Sequence, residues 1–357
     1  MEEGKPRVDL LCDGSSVIID CHTHYTTAPP QFKAWRDRQV AAIRDGAQAP
    51  SPDDLAITDD EIRESIEHNQ LKVMIARGSD LTVLSPRASF MAHHIGDLRV
   101  SLTWSRICND LCYRVTKLFP QYFALGAMLP QSPGVPPSTV IPELRRAVEE
   151  LGAVCVNLNP DPTGGFWNGP PLTDPTWYPV YEALTELDVP AMLHVSTTCN
   201  PAFHTTGSHY LNADTAVFMQ LLESDLFAHF PTLQFVIPHG GGAVPYHWGR
   251  FRGIAMRENR PGPESLLRNI FFDTCVYHQP GIDLLAEVIP TQNLLFASEM
   301  IGAVRGVDPD TGNYFDDTKR YLDSTPHLDE SQRAAIFEGN VRQVYPRLDT
   351  LLKSQGR

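Results

Sequence analysis

The sequence predicts a closed (β/α)8 TIM barrel. Short apolar, β-branched runs recur along its 357 residues, with amphipathic stretches between them. Most of the runs are continuous apolar blocks, the pattern of strands buried on both faces in a parallel sheet. Polar residues with chemical capability stand at the C-terminal ends of several different runs, and a barrel gathers all those ends onto one face. A doubly wound open sheet is the other architecture that alternating strands and helices allow. It is disfavoured because no G-x-G-x-x-G follows the first run and no P-loop is present; residues 240–242 are only a G-G-G after the sixth run.

The expected strands are 17–24, 80–84, 122–129, 153–159, 191–195, 233–239, 270–276 and 293–298. Helical patterns lie between them. Residues 59–76 begin after Thr58, a good N-cap, with Glu61 at the spacing of a capping box. Residues 140–151 stop at Gly152, a C-terminal signal. Residues 175–187, 214–227 and 281–288 follow the same logic. The stretch 29–58 is long for a barrel connection and is expected to be a loop of the kind that forms functional lids. After Met300 a polar loop, G-V-D-P-D-T-G-N-Y-F-D-D, leads into helical segments. The chain 1–357 thus reads as one barrel domain, with 1–16 an N-terminal extension and 300–357 a loop and helices packing on the barrel.

Charge and composition exclude several classes of function. A formal charge of -14 argues against nucleic-acid or anionic-membrane partners, since nothing would offset phosphate repulsion. A small anion remains possible if it meets a locally positive site. There is no apolar run of about 18 residues, so no transmembrane helix is expected. The start, M-E-E-G-K-P-R-V-D-L-L-C-D-G-S-S, resembles neither a signal peptide nor a transit peptide, and the cytoplasm is the expected compartment. Cys12, Cys21, Cys108, Cys112, Cys155, Cys199 and Cys275 form no C-x-x-C, and read as reduced thiols that mostly fill the core. Cys108 and Cys112 share a helical face, where thiol packing explains them best.

The stretch V-I-I-D-C-H-T-H ends the first strand, and residues two apart on a strand face the same side, so His22 and His24 aim two imidazoles at the barrel mouth. His194 ends the fifth strand (A-M-L-H-V-S) and His239 the sixth (F-V-I-P-H-G-G-G). A histidine closing an apolar strand is costly to bury without a partner. One such residue is commonly a hydrogen-bonded core group; four at the same ends of three strands are hard to read that way. Imidazoles with a carboxylate suit a divalent ion, Zn2+ being the expected one. Glu299 ends the eighth strand (L-L-F-A-S-E-M) and is open to three readings: a helix N-terminal acid, the fourth metal ligand, or a proton carrier.

Four segments carry a family resemblance: I-D-C-H-T-H, M-L-H-V, I-P-H-G-G-G and the late F-E-G-N-V-R-Q-V-Y-P-R. Together they resemble the amidohydrolase superfamily, and specifically its branch of small-acid decarboxylases and hydratases. Three further stretches, H-T-H-Y-T-T-A-P, A-S-E-M-I-G-A-V-R-G and D-D-T-K-R-Y, resemble the hydratases of that branch, which act in aromatic catabolism of the protocatechuate and gallate type. Most superfamily members carry Asp at the end of strand eight; Glu299 there matches the hydratases and weakens the decarboxylase reading. Two-metal members use a carboxylated Lys at the end of strand four, where this chain has V-N-L-N-P, so the resemblance implies a single ion held by His22, His24, His194 and Glu299.

It also implies a hydro-lyase adding water to a C=C bond conjugated to a ketone in a small polycarboxylate. Glu299 and His239 are then the proton carriers, although His239 also fits a role orienting a ligand. For the carboxylates of the substrate, Arg305 is the expected cation. Lys319 and Arg320 are weaker candidates, and for each a solvated surface charge is the better reading. Tyr25, Asn159 and Trp248 are expected to line the pocket, and core packing explains Trp248 as well. Homo-oligomers are common among such enzymes. A decarboxylase or hydrolase on the same scaffold, and a catalytically silent metal-binding barrel, are the competing readings.

Overall fold

Each apolar run becomes a strand with every residue buried. The computed structural model describes residues 17–357; the expected extension at 1–16, with Cys12, lies outside the described residues. The strands are β1 (Ile19–His24), β2 (Leu81–Ser85), β3 (Phe123–Met128), β4 (Cys155–Leu158), β5 (Ala191–Leu193), β6 (Phe235–Ile237), β7 (Ile270–Asp273) and β8 (Leu294–Leu295). They pair in parallel, in chain order, as an eight-stranded sheet. The sheet closes on itself where Cys21 N–H donates to the Phe296 carbonyl and Glu299 N–H to the His22 carbonyl, both at 2.9 Å. The expected eighth strand is longer than the one observed. Past Phe296 the Thr274 hydroxyl takes over from the ladder, accepting from Ala297 N–H at 2.9 Å.

Two apolar layers follow from the side-chain alternation of the strands. Inside the barrel, Ile19, Cys21, Leu81, Val83, Val236 and Leu295 meet Val341, Val344, Tyr345, Leu348 and Leu352. The last five come from Asn340–Val344, Pro346–Ser354 and the residue between those helices, which together stopper the end of the barrel opposite the C-terminal ends of the strands. Outside, strand residues such as Leu84, Leu125, Val156 and Leu193 pack against the surrounding helices. Cys21, Cys108, Cys112, Cys155 and Cys275 are buried free thiols, and Cys199 is exposed. Among the described residues, no helix is long and apolar enough to cross a membrane.

The helices depart from expectation in three places. The stretch 29–58 is not a structureless loop. Pro30 opens a helix, Pro30–Asp45, that buries Phe32, Trp35, Gln39 and Ala42 on one stripe and ends at Gly46 in the left-handed region (φ 65°). The expected helix at 59–76 does start at the Thr58–Glu61 capping box, but it splits into Asp59–Glu67 and Gln70–Ala76. The break falls at Asn69, whose side-chain amide donates to the Ser65 carbonyl (2.8 Å) in competition with the helix backbone. The expected helix at 214–227 starts earlier, as Tyr210–Leu222, and a separate turn follows at Leu226–His229.

Candidate metal centre and active site

A break in the pleat puts the first two imidazoles in place. Asp20 pairs with Thr82 and Thr23 with Leu84, so Cys21 and His22 together oppose the single residue Val83. This is a β-bulge. It lets Ile19 and Cys21 fill the barrel interior while His22 and His24 point into the mouth. Asp20 fixes the bulge: it accepts from His22 N–H at 3.1 Å and from the backbone N–H and hydroxyl of Ser298. Burial raises the Asp20 pKa to about 6, although these hydrogen bonds oppose the shift.

His22, His24, His194 and Glu299 bring one ligand atom each to within 4.8 Å of one another, and all four are buried. Nε2 of His24 lies 3.1 Å from Nε2 of His22, 3.4 Å from Nε2 of His194 and 3.9 Å from Oε1 of Glu299. The other ring nitrogens settle the tautomers. His22 Nδ1–H donates to Asp273 (2.7 Å) and His194 Nδ1–H to the Val195 carbonyl (2.7 Å). Ser85 Oγ gives its own proton to the Thr23 carbonyl (3.0 Å), so it accepts from His24 Nδ1–H at 2.8 Å. Each ring therefore presents a bare Nε2 lone pair to its neighbours. Burial and the facing imidazoles lower the pKa of His24 and of His194 well below the usual value, which favours the neutral, ligating form.

Lone pairs crowded in this way need a cation between them. Two metal–nitrogen bonds of about 2.1 Å at tetrahedral or octahedral angles put the nitrogens about 3.0–3.4 Å apart, as observed. The donor set therefore fits a divalent ion.

His239 stands beside this cluster. Its Nδ1–H donates to Asp214 at 2.9 Å, and its Nε2 is buried with no hydrogen-bond partner, 4.0 Å from Glu299 Oε2. Burial works against the imidazolium, but Asp214, Glu299 and Asp273 outweigh it and hold the pKa up at about 9. Burial in turn lifts Asp214 to about 6 against the pull of His239, so in neutral solution the two form an ion pair. The Tyr210 ring stacks on His239 at 5.5 Å and meets His194 edge-on at 5.0 Å.

His239 and Glu299 both have left-handed backbones, φ 53° and 48°, an arrangement that costs about 1–3 kcal/mol at a non-glycine residue. The G-G-G after His239 makes its turn possible: Gly240, Gly241 and Gly242 all have positive φ, and a Cβ on Gly241 would sit 2.6 Å from the Phe272 ring. Glu299 is held by its N–H bond to His22 and by the Tyr277 hydroxyl, which donates to Oε2 at 2.8 Å.

The structure thus gathers His22, His24, His194, His239 and Glu299 but leaves most of the expected pocket residues elsewhere. Tyr25 follows His24 on the opposite side of the strand, so its ring enters the outer core and its hydroxyl bonds Ser65 at 2.6 Å. Asn159 is fully buried, and its amide is spent on His93, Ser196 and Asp161 N–H. Trp248 packs on Phe218 in the outer layer (5.8 Å) and donates to Glu264. Lys319 pairs with Asp323 at 2.7 Å, and Arg320 lies over Tyr321. Arg305 is exposed on the segment that follows Glu299.

Sequence reasoning missed Ser85, Asp214, Tyr210 and Tyr277. Ser85 had a signal, since it ends a strand at the same level as the histidines. Asp214 and Tyr210 sit on a helix, where an acid or an aromatic residue looks ordinary.

A family model described as amidohydrolase matches residues 19–347. A 2-keto-4-carboxy-3-hexenedioate hydratase from Sphingobium sp. (strain NBRC 103272 / SYK-6) is 59% identical over 341 residues, 95% of this chain and 99% of the relative. The crystal structure of a 4-oxalomesaconate hydratase from Rhodopseudomonas palustris superposes with a TM-score of 0.89 at 60% identity, covering 95% of this chain and 99% of that one. A 5-carboxyvanillate decarboxylase from Novosphingobium aromaticivorans, solved with bound manganese, shares the fold at a TM-score of 0.68 and 18% identity, with 93% and 97% coverage.

Proposed function

The chain belongs to the amidohydrolase family, and on that basis we propose that it is a hydratase, a lyase that adds water to the C=C bond of 4-oxalomesaconate to give 4-carboxy-4-hydroxy-2-oxoadipate. The observation that supports the reading is the placement of Glu299 and His239, 4.0 Å apart, beside three imidazoles that could hold a metal ion. Relatives named as hydratases of this substrate and of 2-keto-4-carboxy-3-hexenedioate, at 59% and 60% identity over nearly their full length, support it.

The alkene is conjugated to a ketone, so water adds at one carbon and a proton must reach the carbon alpha to the ketone. His22, His24, His194 and Glu299 would hold a divalent ion, for which we propose Zn2+, and such an ion would supply Lewis-acid polarisation of a substrate oxygen. Glu299 takes the proton of the attacking water. Tyr277 holds its Oε2 in one orientation, so the carboxylate does not have to be ordered at the moment of reaction. His239 delivers the second proton. Its Nδ1 is committed to Asp214, so the mobile proton sits on Nε2, the nitrogen that faces Glu299. Each transfer contributes about 10²–10⁴-fold. We place the enzyme in the cytosol.

The test is direct. The purified protein is assayed for bound metal and for loss of 4-oxalomesaconate absorbance, with Glu299→Gln and His239→Asn beside it. Turnover by the wild type, with each variant at least about 100-fold slower in kcat, is the expected result. Undiminished turnover by Glu299→Gln would remove that residue from the mechanism. An inert metal-loaded wild type that releases CO2 from a carboxylated aromatic would replace the hydratase with a decarboxylase.

A further inference from the structure

We propose that Arg87 seats a substrate carboxylate remote from the metal ligands and sets the preference of the enzyme for polycarboxylates. The proposal rests on the hydratase reading and deepens it.

Position is the first argument. Arg87 lies two residues beyond Ser85, the residue that fixes His24, so it stands where β2 opens into the mouth.

Presentation is the second. The Arg87 guanidinium carbon lies 4.4 Å from the Phe90 ring centroid, and Nε donates to Ser89 Oγ at 2.9 Å. Stacking and that single bond orient the fork. Among the described residues its two terminal nitrogens make no hydrogen bond and no carboxylate pairs with it. A half-buried guanidinium normally finds such a partner.

The third argument is charge. Arg36 lies over the same Phe90 ring, 4.9 Å from its centroid, and its Nε is spent on the Phe90 carbonyl. Like charges held together without a counter-ion are unfavourable, and this chain has 43 Asp and Glu against 29 Lys and Arg to draw on. An arriving carboxylate relieves that repulsion. Arg36 and Phe90 form the fixed wall, and among the described residues the terminal nitrogens of Arg87 are free donors. The ligand class is a small tricarboxylate, with one carboxylate bound by Arg87 and the reacting end at Glu299 and His239.

The test uses the metal-loaded protein and two probes. Binding of tricarballylate (propane-1,2,3-tricarboxylate) and of glutarate is measured by calorimetry on the wild type, Arg87→Met and Arg87→Lys. The wild type is expected to prefer tricarballylate. Arg87→Met, which keeps the stem over Phe90, should weaken tricarballylate roughly 10–100-fold and bring the two probes close together. Arg87→Lys keeps the charge without the fork and should recover part of the loss. In turnover, Arg87→Met should raise KM with kcat nearly unchanged, the signature of lost uniform binding. A tricarballylate affinity in Arg87→Met equal to that of the wild type, or no tricarballylate binding by the wild type, overturns the proposal. If the wild type does not hydrate 4-oxalomesaconate yet Arg87→Met still loses the preference for tricarballylate, the hydratase reading fails and the arginine seat stands. If the wild type turns over and the KM of Arg87→Met is unchanged, the seat fails and the hydratase stands.

Discussion

Asp214 holds His239 in its protonated form, and this dependence has a definite sign. A proton donor loses activity as pH rises through its pKa. Asp214 raises the pKa of His239, to about 9 in the metal-free protein, so Asp214→Asn should lower it, and the alkaline limb of the kcat profile should move to lower pH. NMR titration of His239 in metal-free protein checks the shift, and the pH–rate profile checks its consequence; an unmoved limb would mean that His239 is not the donor.

Tyr277→Phe keeps the ring but removes the bond to Glu299 Oε2. Its kcat should fall roughly tenfold, with the melting temperature changed by only a few degrees, since one hydrogen bond to a charged group is worth about 1.5–3 kcal/mol. Residues of this kind were only partly legible. The histidines and Glu299 close apolar strands, where a polar residue needs an explanation. Tyr277 and Asp214 act by reaching across space from segments whose sequence gives no sign of it. Tyr25 misled for the opposite reason: adjacent to His24 in sequence, it lies across the pleat from it.

Among the elements, the turn after β6 carries the sharpest prediction. Gly241→Ala adds a Cβ at 2.6 Å from the Phe272 ring on a backbone with φ 79°, so it should lower stability by more than about 1 kcal/mol and cut kcat by displacing His239. Gly253→Ala, in the helix Trp248–Arg257 with nothing within 4 Å of the new Cβ, should be neutral or stabilising by about 0.4–1 kcal/mol. Thermal melts and kcat for the pair read both effects; equal outcomes would show that the left-handed turn is not what positions His239.

Strand positions were readable because strands buried on both faces are unbroken apolar runs. The β1 bulge was not, because it arises from the pairing of Cys21 and His22 against Val83, a relation between two distant segments. The helix Pro30–Asp45 escaped notice because only Phe32, Trp35, Gln39 and Ala42 face inward, and one of these is polar.

Across the whole molecule, the barrel concentrates neutral imidazoles in a chain of formal charge -14. His24 and His194 have folded-state pKa values below the ordinary value of about 6.5. As pH falls below about 6.5 the unfolded chain takes up protons that the folded protein refuses, so stability is present above that pH and is lost on acidification. Metal-free protein should therefore melt at progressively lower temperature from pH 7 to pH 5. Metal-loaded protein should melt higher than metal-free protein at neutral pH and lose that advantage over the same range, since protonated ligands release the ion. Scanning calorimetry with and without a chelator checks both; pH-independent melting of the metal-free protein would contradict the burial of neutral rings.

The most direct measurement of the central claim is anomalous diffraction from crystals of catalytically active protein, recorded above and below the absorption edge of the metal found by elemental analysis. One peak per chain is predicted, within about 2.3 Å of Nε2 of His22, His24 and His194 and of a Glu299 oxygen. An active enzyme with no peak among these four side chains, or with its metal bound elsewhere, would contradict it.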